Sequence, residues 1–342
     1  GEATVKRIGL ATRAFPGQHT STDIEFWVEQ LVTEWFSSTM GDMVEAKDVF
    51  IAFTVDQGGN VVNAIKALEV PVVLCNAHRL NTVVVWMLGI GGGPNTCKNV
   101  AMGALMRKLA SCVGQFSHSC SNNTELRVFQ ELNAEFSRVY ELIRRNDTRW
   151  TTQRKMMERL LLLKTSVNQY FASRTNERNL SIRDWAVTNE TCSILDPISE
   201  VNIKIQGAES TYISEATFLM KELVEIMREG DFDIRKPDQP NVSPVDYNSI
   251  KREELFPEVL TAVTVFDNLM KQKNLGKLLT ATERISMFLD PRRSKLSAHD
   301  CLNADDELRS TAIEDIKHLG DRFADGLPGS APTPAPAPAP AP

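Results

Sequence analysis

Apolar and polar positions follow two different rhythms along this chain, with the change near residue 95. Before it, short apolar runs alternate with amphipathic stretches. Residues 4–15 read as a strand, broken by Pro16-Gly17. Thr20 predicts a helix N-cap, with Asp23 near the positive helix end. Ile24, Trp27, Val28, Leu31, Val32 and Trp35 follow at helical spacing as a wide apolar stripe. Residues 49–55 (VFIAFTV) are short, apolar and rich in β-formers, and predict a buried strand that stops at Asp56. Residues 61–68 predict a short helix and 71–74 a second buried strand, followed by CNAHRLNTVVVWML. This β–α–β–α–β–α order predicts an α/β domain over residues 1–95, with a parallel or mixed sheet covered by helices.

After Gly91-Gly92-Gly93-Pro94 the period becomes helical. The spacing predicts helices over 99–116, 124–145, 151–174, 181–204, 214–228 and 253–288, and one more over 305–323. Residues 230–248 contain Pro237, Pro240 and Pro244 and read as a polar loop. An all-α domain over 96–325 is therefore expected. The last residues, 326–342, end in alternating Ala and Pro, which cannot donate a regular hydrogen-bond ladder and predict an extended tail. No internal repeat is visible.

Composition narrows the class. Hydrophobic residues are 42% and charged residues 24% of 342, as in ordinary globular chains. No apolar run reaches the roughly 18–20 residues that span a bilayer, so no membrane partner is expected. Six unevenly spaced cysteines do not make a disulfide framework and fit a reducing compartment. The chain opens at Gly1 without a signal-peptide pattern, which reads as an internal fragment or a processed product. The net charge of −6 lacks the overall basic footprint of a nucleic-acid binder. Locally, residues 138–164 carry eight basic against three acidic side chains, a net of +5. That run is either a solvated helix face or a phosphate-binding surface.

Individual residues divide in the same way. Asp56, at the C-terminal end of a buried strand, stands where open α/β sheets place their sites; Asp-x-Gly-Gly is also good turn chemistry. Cys75-x-x-His78 is half of a zinc spacing. Cys112, His118 and Cys120 lie nearby in sequence without a standard spacing, and buried thiols with a packed histidine are the plainer reading. GIGGGP (89–94) lacks the Lys-Ser/Thr of a phosphate loop and follows a helix pattern, so it reads as a loop. Arg149-Trp150 sits in the basic run. Trp can stack on a base and Arg can pair with phosphate, or Trp150 is core and Arg149 surface.

Six segments in order resemble the hobo–Activator (hAT) superfamily of DNA transposases, including their domesticated BED-finger relatives. FPGQHTSTDI is similar to the family's passage into its first sheet-covering helix. FTVDQGGNVVNAI resembles "TTDNASNMVKA", whose carboxylate matches Asp56. LCNAHRLNTVV resembles "CxAHxLNLVV", matching Cys75, His78 and Asn81. DTRWTTQRKMMERLLLLK resembles "TRWNSTYLMLERLLELK", matching Arg149, Trp150 and Arg159, with Arg154 and Lys155 between them. DPISEVNIKIQGAESTYISEATFLMKEL and FLDPRRSKL continue the series to about residue 296.

The resemblance implies a partial RNase H-like sheet followed by a large helical insertion domain. In that family three carboxylates hold two divalent cations for strand cleavage and transfer, and the Arg-Trp pair serves the DNA hairpin step. Here the first carboxylate motif, "DxWTS", has no match before Phe15. The third, beyond the LDPR segment, is replaced by the tail, the BED finger is missing, and "DNASN" has become Asp56-Gln57-Gly58-Gly59-Asn60. The expectation is a degenerate, non-catalytic DNA- or protein-interaction module, with Asp56 a vestigial metal ligand. The alternatives are a fragment of an active nuclease using Mg2+ or Mn2+, or a regulator or effector with no nucleic-acid role. No other cofactor is expected. The expected partners are DNA, another protein, or a second copy at an incomplete sheet edge. The expected location is nuclear, with cytoplasmic as the alternative, or secreted if Gly1 follows a removed signal peptide.

Overall fold

The computed structural model describes residues 18–40, 44–93, 96–133, 138–146, 149–172, 174, 178–206, 213–235, 247–275, 280–289 and 306–326. The expected strand at 4–15, most of the FLDPRRSKL segment and the Ala-Pro tail lie outside these residues. Contacts divide the chain into two units. One comprises Gly1–Cys75, Tyr212–Thr217 and Leu278–Pro342; the other comprises Asn76–Thr211 and Phe218–Lys277. The division therefore falls at residue 75, not at 95, and residues beyond 277 group with the first unit.

In the first unit, α1 (Ser21–Met40) starts where the sequence places it. Thr20 Oγ1 accepts the Asp23 N–H at 3.2 Å and donates to Asp23 Oδ2 at 2.6 Å, a reciprocal cap that satisfies the first helical turn. The four-residue helix α2 (Ala46–Val49), strand β1 (Phe53–Val55), helix α3 (Gly59–Ala67) and strand β2 (Val72–Leu74) follow. The strand expected over 49–55 is thus only its last three residues, because Val49 closes α2. The two strands pair in parallel, Phe53 opposite Val72 and Val55 opposite Leu74, with α3 as the crossover. Val32 of α1, Ile65 and Leu68 at the end of α3, and Val70 before β2 form the core. Phe36, Phe50 and Phe53 pack against it, with the Phe50 and Phe53 rings 4.8 Å apart.

The second unit is helical with one hairpin: α4 (Asn76–Met87), α5 (Val100–Ser117), α6 (Cys120–Asn133), α7 (Trp150–Leu162), α8 (Lys164–Ala172), α9 (Ile182–Gln206), α10 (Ile213–Glu229), strands β3 (Asp231–Arg235) and β4 (Tyr247–Lys251), and α11 (Pro257–Gln272). The first residues of α10 count with the first unit. α4 packs on α9 and α11, which is why it leaves the sheet unit. The helix expected over 124–145 ends at Asn133. Buried Gln130 accepts the Tyr140 N–H at 2.9 Å and donates to the Tyr140 carbonyl at 3.0 Å, so the returning strand of chain is bonded by a side chain in place of a helix. The helix expected over 151–174 divides at Leu163. The one expected over 253–288 stops after Gln272, where Asn274 takes φ +50° and the Leu275 N–H closes on the Met270 carbonyl. The loop expected over 230–248 is in part a hairpin, β3 antiparallel to β4 with Phe232 opposite Ile250. Its prolines lie in 236–246, outside the described residues.

Helix α9 is buried on all sides from Val187 to Leu195, although much of that stretch is polar. Its hydroxyls bond back to the helix: Thr188 to the Asp184 carbonyl at 2.6 Å, Thr191 to Val187 at 2.7 Å, and Ser193 to Asn189 at 3.0 Å. Asn189 donates to the Arg235 carbonyl on β3, and Glu190 accepts the Phe256 N–H at 2.8 Å ahead of α11. Burial raises the Glu190 carboxyl above its ordinary 4.5; the Phe256 bond opposes this, and Glu258 adds to it. The folded chain therefore holds this proton to higher pH than the unfolded chain. Its contribution to stability is complete below about pH 4.5 and is lost as pH rises through the folded value. Urea unfolding of Glu190→Gln across pH 4–8 should show the variant gaining on the native chain as pH rises. A gain by the native chain over that interval would contradict the burial assignment.

Two junctions fix the helices. At the first, Asn99 is 2% exposed, caps α5 by accepting the Met102 N–H, and donates to the carbonyls of Met87 and Glu258, joining α4, α5 and α11. There Gly89 takes φ +67°, and its carbonyl lies against Gly103. At the second, the Arg79 guanidinium on α4 donates to the Lys273 carbonyl just past α11. The helical unit's first and last segments are thereby bonded to each other. In the first unit, α12 (Ala281–Leu289) packs on α13 (Asp306–Gly326), with Arg284 Nε 2.6 Å from Asp315 Oδ2. No helix among the described residues is long and apolar enough to cross a membrane.

Candidate functional site

Strand β1 ends by delivering Asp56 to the surface. Its Oδ1 accepts the Gly58 N–H at 2.9 Å, a tight turn that leads into α3. A Cβ on Gly58 would stand 2.9 Å from the same oxygen, so glycine there leaves room for the carboxylate. An open cleft of about 360 Å3 is lined by His19, Ile24, Asp56, Gly58, Asn60 and Val61, among others. Asn60 Nδ2 donates to the His19 carbonyl at 2.7 Å and so ties the start of α3 to the chain before α1. The sequence marks His19 only by its place in FPGQHTSTDI, ahead of the Asp56 segment.

Two cations held side by side need several converging carboxylates. The Asp56 cleft supplies one, and among the described residues no group of three His, Cys, Asp or Glu side chains could hold a metal ion. The described donor set does not fit the metal pair that the resemblance implies. The zinc reading finds no such group either. The Cys75 N–H extends the parallel ladder by donating to the Val55 carbonyl at 2.7 Å. His78 is exposed on α4, and Asn81 is half-buried there. Cys112 is buried, which pushes its thiol up to about 12, while His118 and Cys120 are exposed.

The basic run separates into structural and outward-facing members. Trp150, expected to offer a stacking face, is 1% exposed and belongs to the core with Met156, Met157 and Leu160. Arg154, expected on phosphate, is committed to a network between α7, α9 and β3. Its guanidinium lies 2.9 Å from both Glu158 and Asp196 and also bonds Ser199. Arg235 pairs with both oxygens of the same Asp196, at 3.0 and 2.7 Å. Burial works against the Arg235 charge, but Asp196, Cys192 and Glu158 together outweigh it and the guanidinium is held above its ordinary value. Arg159 bonds the Glu141 carbonyl and stands 4.8 Å from the centre of the Tyr140 ring, as does Arg138. Of the expected set, Arg149 and Lys155 are exposed, and Arg144 is exposed with them.

No family model matches the chain. No curated protein matches it.

Proposed function

We propose that the chain is a non-catalytic, hAT-transposase-derived module that binds DNA through its helical unit, with a partial RNase H-like unit beside it in sequence. The observation that carries this reading is the Arg79–Lys273 bond. A domain inserted into another must leave and return at one place, and this bond ties the first helix of the helical unit to its last. The segments of the first unit flank it on both sides in the chain. Further support comes from the parallel β1–β2 pair with a helical crossover and an aspartate at the strand's C-terminal end, the position where open α/β sheets carry their sites. Asp56 acts there as a turn-forming carboxylate. The DNA-facing cations are Arg144, Arg149 and Lys155, which are exposed, whereas Trp150 and Arg154 are taken up by the unit's own packing and ion pairs.

Fluorescence anisotropy with duplex and hairpin DNA between 50 and 200 mM salt tests this directly. Three engaged cations give a slope of log affinity on log salt of about −3, and Arg149→Gln or Lys155→Gln each reduces it by about 1. Incubation with Mg2+ or Mn2+ should yield no cleaved strand. Binding that ignores both salt and these substitutions would falsify the DNA reading. Cleavage that disappears in Asp56→Ala would overturn the non-catalytic one.

A further inference from the structure

Tyr140 lies on the segment that returns from α6 to α7, and the chain fixes it in place. Buried Gln130 bonds both its N–H and its carbonyl, and its ring packs against the core of the helical unit. Glu141, the next residue, turns its carboxylate to α6, where Asn123 donates to it at 3.1 Å and Arg127 pairs with it. The segment is bonded to α7 at two points. Arg159 donates to the Glu141 carbonyl, and Thr152 Oγ1 accepts the Asn146 N–H at 2.9 Å. The segment therefore runs along α7 in the opposite direction, with exposed Arg144 between the two attachments. Lys155 is exposed one turn before Arg159 on the same helix face.

Two guanidinium groups, of Arg138 and Arg159, each lie 4.8 Å from the centre of the Tyr140 ring. They differ in what else holds them. Arg159 is half-buried and bonds the Glu141 carbonyl, whereas Arg138 is exposed. Arg174 over Tyr170 and Arg183 over Phe256 make the same kind of ring contact, but each also donates to a carboxylate, of Glu125 and Glu258. Arg138 makes no such pair among the described residues. A guanidinium is planar, weakly hydrated and stacks on aromatic faces. Held against one ring, it keeps its other face for a second. An unpaired nucleobase supplies such a face, whereas a base inside a duplex has both faces covered by its neighbours. We propose that Arg138, backed by Tyr140, stacks on an unpaired base of a DNA strand whose phosphates follow Arg144, Lys155 and Arg149. This rests on the DNA reading above and names its substrate class, DNA with a single-stranded segment.

The test titrates the full chain, by fluorescence anisotropy at one salt concentration, with a single strand of thymidines, an abasic strand of the same length, and a duplex. The abasic strand keeps every phosphate and lacks the bases. One stacked base should make the thymidine strand bind about fivefold more tightly than the abasic one. Arg138→Lys keeps the charge and removes the planar face. It should erase that difference and leave duplex affinity unchanged. Arg138 is exposed, so the substitution leaves the fold intact, which an unchanged urea midpoint verifies. Equal affinity for the two strands in the native chain, or a difference that survives Arg138→Lys, overturns the assignment while duplex binding through Arg149 and Lys155 stands. Failure of all three probes to bind overturns both readings.

Discussion

Trp150→Ala should cost the helical unit about 3–5 kcal/mol, the usual loss on truncating a fully buried aromatic. With a total stability of about 5–15 kcal/mol, that removes from about a fifth to all of what holds the unit folded. Trp150 opens α7 at 1% exposure and shares its stripe with Gln153, Met156, Met157 and Leu160, all buried. Urea unfolding followed by far-UV circular dichroism reads the loss, and hairpin-DNA affinity should fall only in proportion to the unfolded fraction. The motif reading makes the opposite forecast. If Trp150 stacks on a base, the variant keeps its urea midpoint and loses hairpin binding. An unchanged midpoint would therefore place the indole at the surface and restore the role expected from the sequence.

Gly89→Ala is expected to be nearly as damaging, although it adds one methyl group. A Cβ at Gly89 would stand 2.1 Å from the Asn99 carbonyl oxygen and 2.6 Å from the Gly103 nitrogen, both backbone atoms that cannot turn aside. Holding φ at +67° costs a residue with a Cβ about 1–2 kcal/mol, and forcing the α4–α5 junction apart adds about 1–3 kcal/mol. Gly103→Ala tests the same contact from the other side, since its Cβ would meet the Gly89 carbonyl at 2.4 Å. Gly93→Ala, in the same turn and with open space at its Cβ, should leave the midpoint unmoved. Equal tolerance at all three glycines would mean that the two helices do not approach as closely as described.

What the sequence made legible was local. Thr20 with Asp23, Asn99, and Ser181 with Asp184 each announce a helix start through bonds three residues apart, and α1, α5 and α9 begin there. Asp56 falls at a strand end, where the alternation of apolar runs places it. The misplaced elements are those decided by distant partners. Residues 138–146 would extend α6 on propensity alone, but the Gln130 side chain captures Tyr140. The β3–β4 hairpin hides behind prolines, while Asn189 and Ser193 of α9 bond the backbone of Arg235. Arg154 reads as a surface cation because Asp196, its partner, lies 42 residues away. Trp150 was legible in principle, since its spacing to Gln153, Met157 and Leu160 marks one helix face. The adjacent Arg149, taken as one motif with Trp150, points instead to a stacking face.

The Arg79–Lys273 bond also bears on the order in which the chain folds. Between Cys75 and Leu278 lie about 200 residues. Bringing the ends of an unstructured loop of that length together costs roughly 4–5 kcal/mol of chain entropy, growing with the logarithm of its length. Once α4 and α11 have packed, that cost has been met inside the helical unit by its own contacts, and the first unit inherits two strands of chain already held side by side. Residues 18–75 finish synthesis long before residues 278–326 do, yet they share a unit. The joining of residues 278–326 to residues 18–75 then waits on the helical insert rather than on the order of synthesis. A lesion at the Asn99 or Gly89 junction would hinder that joining without touching either segment, by keeping the two ends of the loop apart.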